Sequence, residues 1–170
     1  KADLSAMQAR KKKVIAEFAD YRRGQIEDGR FTLFREHASF VDEHTLSLGT
    51  DRLIRGEKIL VATGSEVSVP SIPGLSEVPY KTSDDVLELS EVPPECIVLG
   101  GGVVACELAQ FLSRVGSRVT LLQRSPRILR EFPAEASRAV EAAMTEEGIN
   151  LLTGVSLEGF RSSGEERTEV

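Results

Sequence analysis

The stretch IVLGGGVVACELAQFL, residues 97–112, decides the fold of this chain. It opens with an apolar run typical of a buried β-strand, passes through three glycines, and continues with the apolar spacing of an α-helix. Gly100, Gly102 and Ala105 match the G-x-G-x-x-G/A pattern between a strand and a helix, the context that indicates dinucleotide binding. In that pattern Gly100 permits the tight turn, Gly102 lets the backbone approach a pyrophosphate, and Ala105 lets the helix pack on the strand. The helix N-terminus near Val103 would offer free N–H groups to the phosphates, whereas a glycine-rich turn with no ligand is the alternative.

The sequence from residue 96 onward alternates between strand and helix patterns. Short apolar runs are separated by longer amphipathic stretches, which is the β-α-β-α-β order of a parallel sheet with crossover helices. The fold class is therefore predicted to be α/β, with Rossmann-like dinucleotide-binding units. The predicted elements are a strand at 96–100, a helix at 103–115, a strand at 118–122, a helix at 133–147, a strand at 150–152 and, after the charged turn SSGEER, a strand at 168–170.

The first part of the chain carries a different pattern. Spaced apolar residues predict an amphipathic helix over 3–23 that ends near Gly24. Runs of β-forming residues with turns between them predict a meander over 30–62, which closes on a buried strand at 59–61. A Pro-rich connection follows, and Ser83-Asp84-Asp85 is predicted to cap a short helix that runs through residue 89.

Composition limits the classes of function. The chain has 170 residues, 41% of them hydrophobic, and a net charge of −6, which gives no general attraction to nucleic acid or to an anionic membrane. The basic run at 10–13 is interpreted as a solvated helix face, and no apolar run is long enough to span a membrane. Cys96 and Cys106 are spaced for neither a redox pair nor a zinc site, so we expect two small buried residues, no metal and a reducing, cytoplasmic compartment. The missing initiator methionine and the strand pattern at the end lead us to expect an internal fragment.

The end of the second predicted strand indicates which dinucleotide binds. An NAD site places an acidic residue there to hold the ribose 2′-hydroxyl. In this chain Gln123 takes that place and Arg124 follows, with Arg127 and Arg130 close behind. Because a guanidinium forms charge-assisted bonds with a 2′-phosphate, NADP is favoured over NAD. The alternative is that these arginines, and Arg127 above all, are ordinary solvated charges.

Several motifs occur together in one order. They are KILVATGS at 58–65, IPGL at 72–75, YKTSDDVLEL at 80–89, and the glycine pattern with its following strand. With these motifs, residues 31–170 resemble the middle of a flavin-dependent pyridine nucleotide-disulfide oxidoreductase, the family of glutathione reductase, lipoamide dehydrogenase and mercuric reductase. The stretch VVACELAQFLSRVGSRVTLLQRS is most similar to mercuric reductase, although serines often stand there in place of Gly101 and Gly102. The stretch RSPRILR is similar to glutathione reductase, whose paired arginines hold the 2′-phosphate.

The resemblance implies roles for individual residues. Residues 1–90 would be part of a discontinuous FAD-binding domain with its connection, and 91–170 would be an NAD(P)-binding domain that is incomplete at its C-terminus. In the first domain, Ala38 resembles a residue whose backbone contacts the FAD adenine, and Thr63-Gly64 resembles a turn beside FAD. In the second, Gly101 and Val104 resemble nucleotide contacts, and Glu107 resembles a glutamate near the nicotinamide carboxamide. From the sequence alone, Ala38 could be a plain strand residue, Thr63-Gly64 a strand-ending turn, and Glu107 an acid favoured by the helix dipole.

The resemblance also implies an activity for the full-length protein. Hydride would pass from NADPH to FAD and then to a redox dithiol and the substrate, which could be mercuric ion, glutathione or lipoamide. The catalytic cysteines would lie before residue 1 and the catalytic histidine after residue 170, so we expect no catalytic residue in this chain. We expect a homodimer with no nucleic-acid or membrane partner. Two alternatives remain, a dithiol-free flavoprotein of the NAD(P)H oxidase or ferredoxin reductase type, and a non-enzymatic NADP-sensing module.

Overall fold

The computed structural model describes residues 3–162 and 168–169. It is an α/β structure in which two compact units can be distinguished, one of residues 11–66 and the other of residues 1–10 with 67–170. No helix among the described residues is long and apolar enough to cross a bilayer.

The unit of residues 11–66 contains most of a long helix and an antiparallel meander. Helix α1 spans Leu4–Glu27 and begins in the other unit, where Asp3 caps it by accepting a hydrogen bond from the N–H of Ala6 at 3.0 Å. The meander consists of β1 (Ala38–Asp42), β2 (Thr45–Leu48) and β3 (Arg52–Arg55), with β2 in the centre. Helix α1 runs past Gly24, where we predicted its end, because glycine inside a helix costs only about 1 kcal/mol. The chain leaves the helix before Gly29, whose φ of +89° suits a turn.

The predicted buried strand at 59–61 is wrong. Residues 57–70 have no regular secondary structure, and Leu60 is 91% exposed. A strand needs a neighbour to accept its backbone hydrogen bonds, and no strand among the described residues pairs with this one. The meander was also predicted to begin too early, at residue 30. Residues 31–37 are exposed and irregular, and β1 begins at Ala38.

The other unit contains the predicted parallel sheet. Its strands are β4 (Glu95–Leu99), β5 (Arg118–Gln123) and β6 (Asn150–Thr153), with β5 in the centre and parallel to both neighbours. Helix α3 (Val103–Val115) connects β4 to β5, and α4 (Ala134–Glu146) connects β5 to β6. These elements agree with the predicted order to within one or two residues at each end. The α/β fold with a parallel sheet and crossover helices is confirmed.

The core of this unit lies between β5 and the two helices. Its buried members come from the central strand, from the inner face of α3, from α4, from the loop between β5 and α4 and from the turn between α4 and β6. They are Cys106, Ala109, Leu112, Val119, Leu121, Ile128, Met144 and Ile149. The glycine turn at the carboxyl end of β4 is therefore attached to the best-packed part of the chain.

Shorter elements complete the unit. A 3-10 helix at Leu75–Glu77 and the helix α2 (Ser83–Leu87) lie before β4, and β7 (Arg161–Ser162) pairs antiparallel with β8 (Thr168–Glu169). The cap of α2 differs from our prediction, because Thr82 takes that position. Thr82 accepts a hydrogen bond from the N–H of Asp85, and the Asp85 carboxylate accepts one from the N–H of Thr82 at 2.7 Å. The predicted charged turn at 162–167 lies almost entirely outside the described residues.

Candidate functional site

The first glycine of the motif makes the turn that ends β4. Gly100 has a φ of +107°, in the left-handed region that favours glycine, and its N–H donates to the carbonyl of Leu122 on β5 at 2.9 Å. A Cβ at this position would lie 4.0 Å from the Cβ of Ala105, in ordinary van der Waals contact. The turn is thus fixed to the neighbouring strand on one side and to the first turn of α3 on the other.

The second glycine is required by close packing. Gly101 is buried, and a Cβ there would lie 2.9 Å from Cγ2 of Ile128 and 3.0 Å from Cγ of Gln123. Its carbonyl accepts a hydrogen bond from the N–H of Leu129 at 2.6 Å. The glycine turn and the loop after β5 are therefore joined directly, through both side-chain packing and a backbone hydrogen bond.

The third glycine leaves open space at the start of α3. Gly102 is the N-cap residue, it is exposed, and a Cβ built on it meets no atom of the described chain within 4 Å. The first hydrogen bond of the helix runs from the N–H of Cys106 to the carbonyl of Gly102 at 3.0 Å. The N–H groups of Val103, Val104 and Ala105 precede it and so have no partner within the helix, and no side chain caps them. Open space in front of free N–H groups is the arrangement that binds a phosphate.

A cleft of about 340 Å³ opens at the start of α3, where Gly102 and Val103 line it. It brings together four of the predicted nucleotide-binding residues, Gly101, Gly102, Arg124 and Arg130, although they lie up to 29 positions apart in the sequence. Its lining residues come from the glycine turn, the end of β5 and the following loop. They are Gly101, Gly102, Val103, Gln123, Arg124, Ser125, Leu129, Arg130, Glu131 and Phe132.

The two predicted phosphate ligands differ in their surroundings. Arg124 is exposed, and no described residue gives its guanidinium a hydrogen bond or an ion pair. Arg130 is also exposed, but its Nε donates to a carboxylate oxygen of Glu131 at 2.7 Å. Within the described part of the chain, Arg124 is thus an unpaired cation at the cleft, whereas Arg130 forms an ion pair with a neighbouring acid.

Arg127 has a role that the sequence analysis missed. The alternative that it is a solvated charge had more weight for Arg127 than for the other two arginines, but its guanidinium donates to the carbonyls of Arg130 and Phe132 and to the hydroxyl of Ser137, each at 2.8 Å. Ser137 is fully buried and donates in turn to the carbonyl of Ile128 at 2.8 Å. The solvated-charge alternative is wrong for this residue, because three N–H groups of its guanidinium donate to the loop and to Ser137 on α4. The buried serine on α4 was the available signal, since a buried hydroxyl needs partners.

Glu107 lines a second cleft, next to the first. This cleft has a volume of about 230 Å³ and lies between α3, α4 and the loop after β5. The clefts share Val103, Leu129 and Phe132, but Glu107 does not line the cleft that contains the arginines. The cleft that contains the arginines is also not lined by Gly100, Val104 or Ala105. Gly100 and Ala105 support the turn, and Val104 is exposed. The contact of Glu107 with a nicotinamide stays a prediction.

Both cysteines are free thiols. Cys106 is buried under the glycine turn and Cys96 is half-buried on β4. Desolvation by burial raises the pKa of both thiols, and the nearby carboxylates of Glu107 and Glu141 raise the pKa of Cys106 further. A thiol with a raised pKa is a poor nucleophile at neutral pH. Among the described residues, no group of three histidines, cysteines or acids is placed to hold a metal ion.

The predicted FAD contacts lie in the other unit and are exposed. Ala38 starts β1, and Thr63 and Gly64 lie in the irregular segment that follows the meander. Gly64 has a φ of +79°, as a turn requires, and a Cβ there would meet no described atom within 4 Å. The contacts of these residues with FAD stay predictions.

Comparisons with known proteins agree with the fold. The family model described as pyridine nucleotide-disulphide oxidoreductase matches residues 3–170. Mercuric reductase of Staphylococcus aureus is 38% identical over 164 residues, which cover 96% of this chain and 30% of that protein. Mercuric reductase of Bacillus cereus is also 38% identical, with 96% and 26% covered.

A solved structure shows the same fold. The Cu(II) complex of the HOCl-induced flavoprotein disulfide reductase RclA from Escherichia coli matches with a TM-score of 0.85 and 26% identity, over 99% of this chain and 39% of that one. The chain therefore spans less than a third of the length of these mercuric reductases and about two fifths of RclA.

Proposed function

The chain belongs to the pyridine nucleotide-disulphide oxidoreductase family, and on this premise we propose that it binds NADPH at the glycine turn as part of a longer FAD-dependent oxidoreductase. The nicotinamide and the flavin supply the hydride-transfer chemistry when they are bound. The contribution of the described residues is to bind and orient the nucleotide. A dithiol that receives the electrons, and the residues that act on the substrate, would belong to other parts of the full-length protein.

The observation that carries the proposal is the open end of α3. No side chain caps the N–H groups of its first turn, a Cβ on the adjoining Gly102 would meet no described atom within 4 Å, and the positive end of the helix dipole favours an anion there. A pyrophosphate placed at this point would lie against backbone, without a side chain between. The adjoining cleft then gives the adenosine part of the nucleotide a place beside Gln123 and Arg124.

The preference for NADPH rests on the charges of the cleft. Gln123 carries no negative charge to repel a 2′-phosphate, and the Arg124 guanidinium has no partner among the described residues that would compete for it. Arg130 lines the same cleft and is held by a single exposed ion pair, which a phosphate could displace at small cost. Both arginines can therefore serve the 2′-phosphate.

The terminal substrate is proposed from the relatives. Two mercuric reductases are 38% identical to this chain, which favours mercuric ion as the electron acceptor of the full-length protein. RclA, at 26% identity, is described as a disulfide reductase, so a disulfide is the second candidate. NADPH oxidation by the full-length protein, started with mercuric ion or with glutathione disulfide, separates the two. A protein that is purified without a yellow flavin would favour the NADP-sensing alternative.

The decisive experiment replaces both arginines. A hydrogen bond to a charged group contributes about 1.5–3 kcal/mol, so the loss of even one such contact should weaken NADPH binding about tenfold to a hundredfold. We expect Arg124→Ala with Arg130→Ala to raise the Kd for NADPH by at least that factor and the Kd for NADH very little, in titrations of the full-length flavoprotein. Arg138→Ala is the matched control, because Arg138 is an exposed arginine of α4 that pairs with Glu135.

Ionic strength provides a second control. Because the contacts are exposed, the preference of the wild type for NADPH should shrink as salt screens them. If the wild type binds NADH as tightly as NADPH, or if the double variant loses both nucleotides equally, the assignment to NADPH is wrong.

A further inference from the structure

The loop between β5 and α4 is held from inside by one arginine. The two terminal nitrogens of Arg127 donate three hydrogen bonds of 2.8 Å, to the carbonyl of Arg130, to the carbonyl of Phe132 and to the hydroxyl of Ser137. Two of these three acceptors are backbone atoms of residues that line the nucleotide cleft. Hydrogen bonds from a charged donor are stronger than neutral ones, so this side chain sets the path of the loop.

The other contacts of the loop attach it to α4 and to the glycine turn. Ser137 donates to the carbonyl of Ile128, and a carboxylate oxygen of Glu141 accepts the N–H of Ile128 at 3.1 Å. The N–H of Leu129 donates to the carbonyl of Gly101, and Leu129 has a φ of +48°, a left-handed conformation that leucine rarely adopts. A strained residue persists only where its surroundings hold it in place, and here they hold it against the glycine turn.

We infer that Arg127 is a positioning residue for nucleotide selectivity, which holds the backbone of Arg130 so that the Arg130 side chain reaches the 2′-phosphate. The inference rests on the proposed function. Arg127 is not itself a ligand in this account, because it does not line the cleft and three N–H groups of its guanidinium already donate to the loop and to α4. The Arg130 side chain, in contrast, bonds only to its neighbour Glu131 among the described residues. The position of Arg130 over the cleft therefore depends on its backbone, and Arg127 bonds to that backbone directly.

A double-mutant cycle tests whether Arg127 acts through Arg130. In the full-length flavoprotein, we expect Arg127→Ala to raise the Kd for NADPH about fivefold to tenfold, since part of one charge-assisted contact is lost. The Kd for NADH should change less than about twofold. In the Arg130→Ala background, Arg127→Ala should change the Kd for NADPH by less than about twofold, because the residue that it positions is gone. Arg138→Ala serves as the control for removal of one positive charge from this side of the unit.

Three results would overturn the inference: an unchanged Kd for NADPH in Arg127→Ala, an equal loss of NADH binding, or the same fivefold to tenfold increase in the Arg130→Ala background. The last would mean that Arg127 acts on the phosphate by itself.

If Arg127→Ala does not yield a folded flavoprotein, Arg127→Lys takes its place in the same cycle. Lysine keeps the charge but cannot reach three acceptors, so we expect the Kd for NADPH to rise about threefold and the Kd for NADH to stay unchanged. A wild type without preference for NADPH would refute the proposed function, whereas a preference for NADPH that is as large in Arg127→Ala as in the wild type refutes only the inference.

Discussion

The two units of the chain bury their apolar residues very differently. In the unit that contains residues 67–170, Leu121, Ile128 and Met144 are at most 1% exposed. Among the described residues from 11 to 66, Leu48 alone is buried, and Phe18 is 65% exposed. A core fixes the glycine turn and the cleft, but the segments predicted to contact FAD have no such support within the described residues. The comparison teaches that the proposed nucleotide site is built on a packed core, whereas the proposed FAD contacts are not.

The largest expected effect tests whether the stability of the chain depends on the unit that contains residues 67–170. Leu121 lies fully buried in the central strand β5, so Leu121→Ala should lower the free energy of unfolding by about 2–5 kcal/mol. Leu53 lies in β3 of the other unit and is 66% exposed, so Leu53→Ala should change the free energy of unfolding by about 0.5 kcal/mol or less. Urea denaturation of the 170-residue chain measures both. If both variants lost the same free energy of unfolding, the two units would not differ in how far their apolar residues stabilise the fold.

The next effect tests the open end of α3. Gly102→Val places a branched side chain in the space where a pyrophosphate is proposed to lie, while it meets no atom of the described chain at its Cβ. We expect the affinity for both NADPH and NADH to fall about a hundredfold or more, with little change in the thermal midpoint. Gly24→Val is the control, because Gly24 is a second glycine with open space at its Cβ, in α1. Unchanged nucleotide affinity in a folded Gly102→Val protein would remove this turn from the site.

Sequence reasoning succeeded where one local pattern determines the structure. The parallel sheet and the turn at its edge could be predicted from the spacing of apolar residues in β4, α3 and β5 and from the glycines between β4 and α3. It failed where a structure depends on residues distant in the sequence. The run at 59–61 has the composition of a buried strand, yet composition does not provide a neighbouring strand.

The site shows the same limit at the level of single residues. Arg124, Arg127 and Arg130 are alike in the sequence, and the spacing RSPRILR does not show which of them faces the cleft. The difference arises because Ser137 on α4 and two loop carbonyls accept the hydrogen bonds of Arg127. The cap at Thr82 could have been found, since Thr82 and Asp85 have the spacing of a capping box with aspartate in place of glutamate.

The smallest expected effect concerns the acid beside Arg130. Glu131 accepts a hydrogen bond from Arg130 and lines the cleft, so its charge opposes a 2′-phosphate. Because the pair is exposed, Glu131→Gln should tighten NADPH binding only about twofold to fivefold and leave NADH binding unchanged. Glu135→Gln is the matched control, since Glu135 forms a similar exposed pair with Arg138 on α4. Weaker NADPH binding in Glu131→Gln would mean that the acid helps to position Arg130.

The most direct test of the central claim is a titration of the isotopically labelled 170-residue chain with 2′,5′-ADP and with 5′-AMP, followed by NMR. The two ligands share an adenosine and a 5′-phosphate, and only the first carries the 2′-phosphate. We predict shifts at residues 100–105 and 123–132, none at the meander strands β1, β2 and β3, and binding of 2′,5′-ADP at least about tenfold tighter than that of 5′-AMP. Equal affinities would contradict the role of the arginines, and shifts that avoid the glycine turn would contradict the site itself.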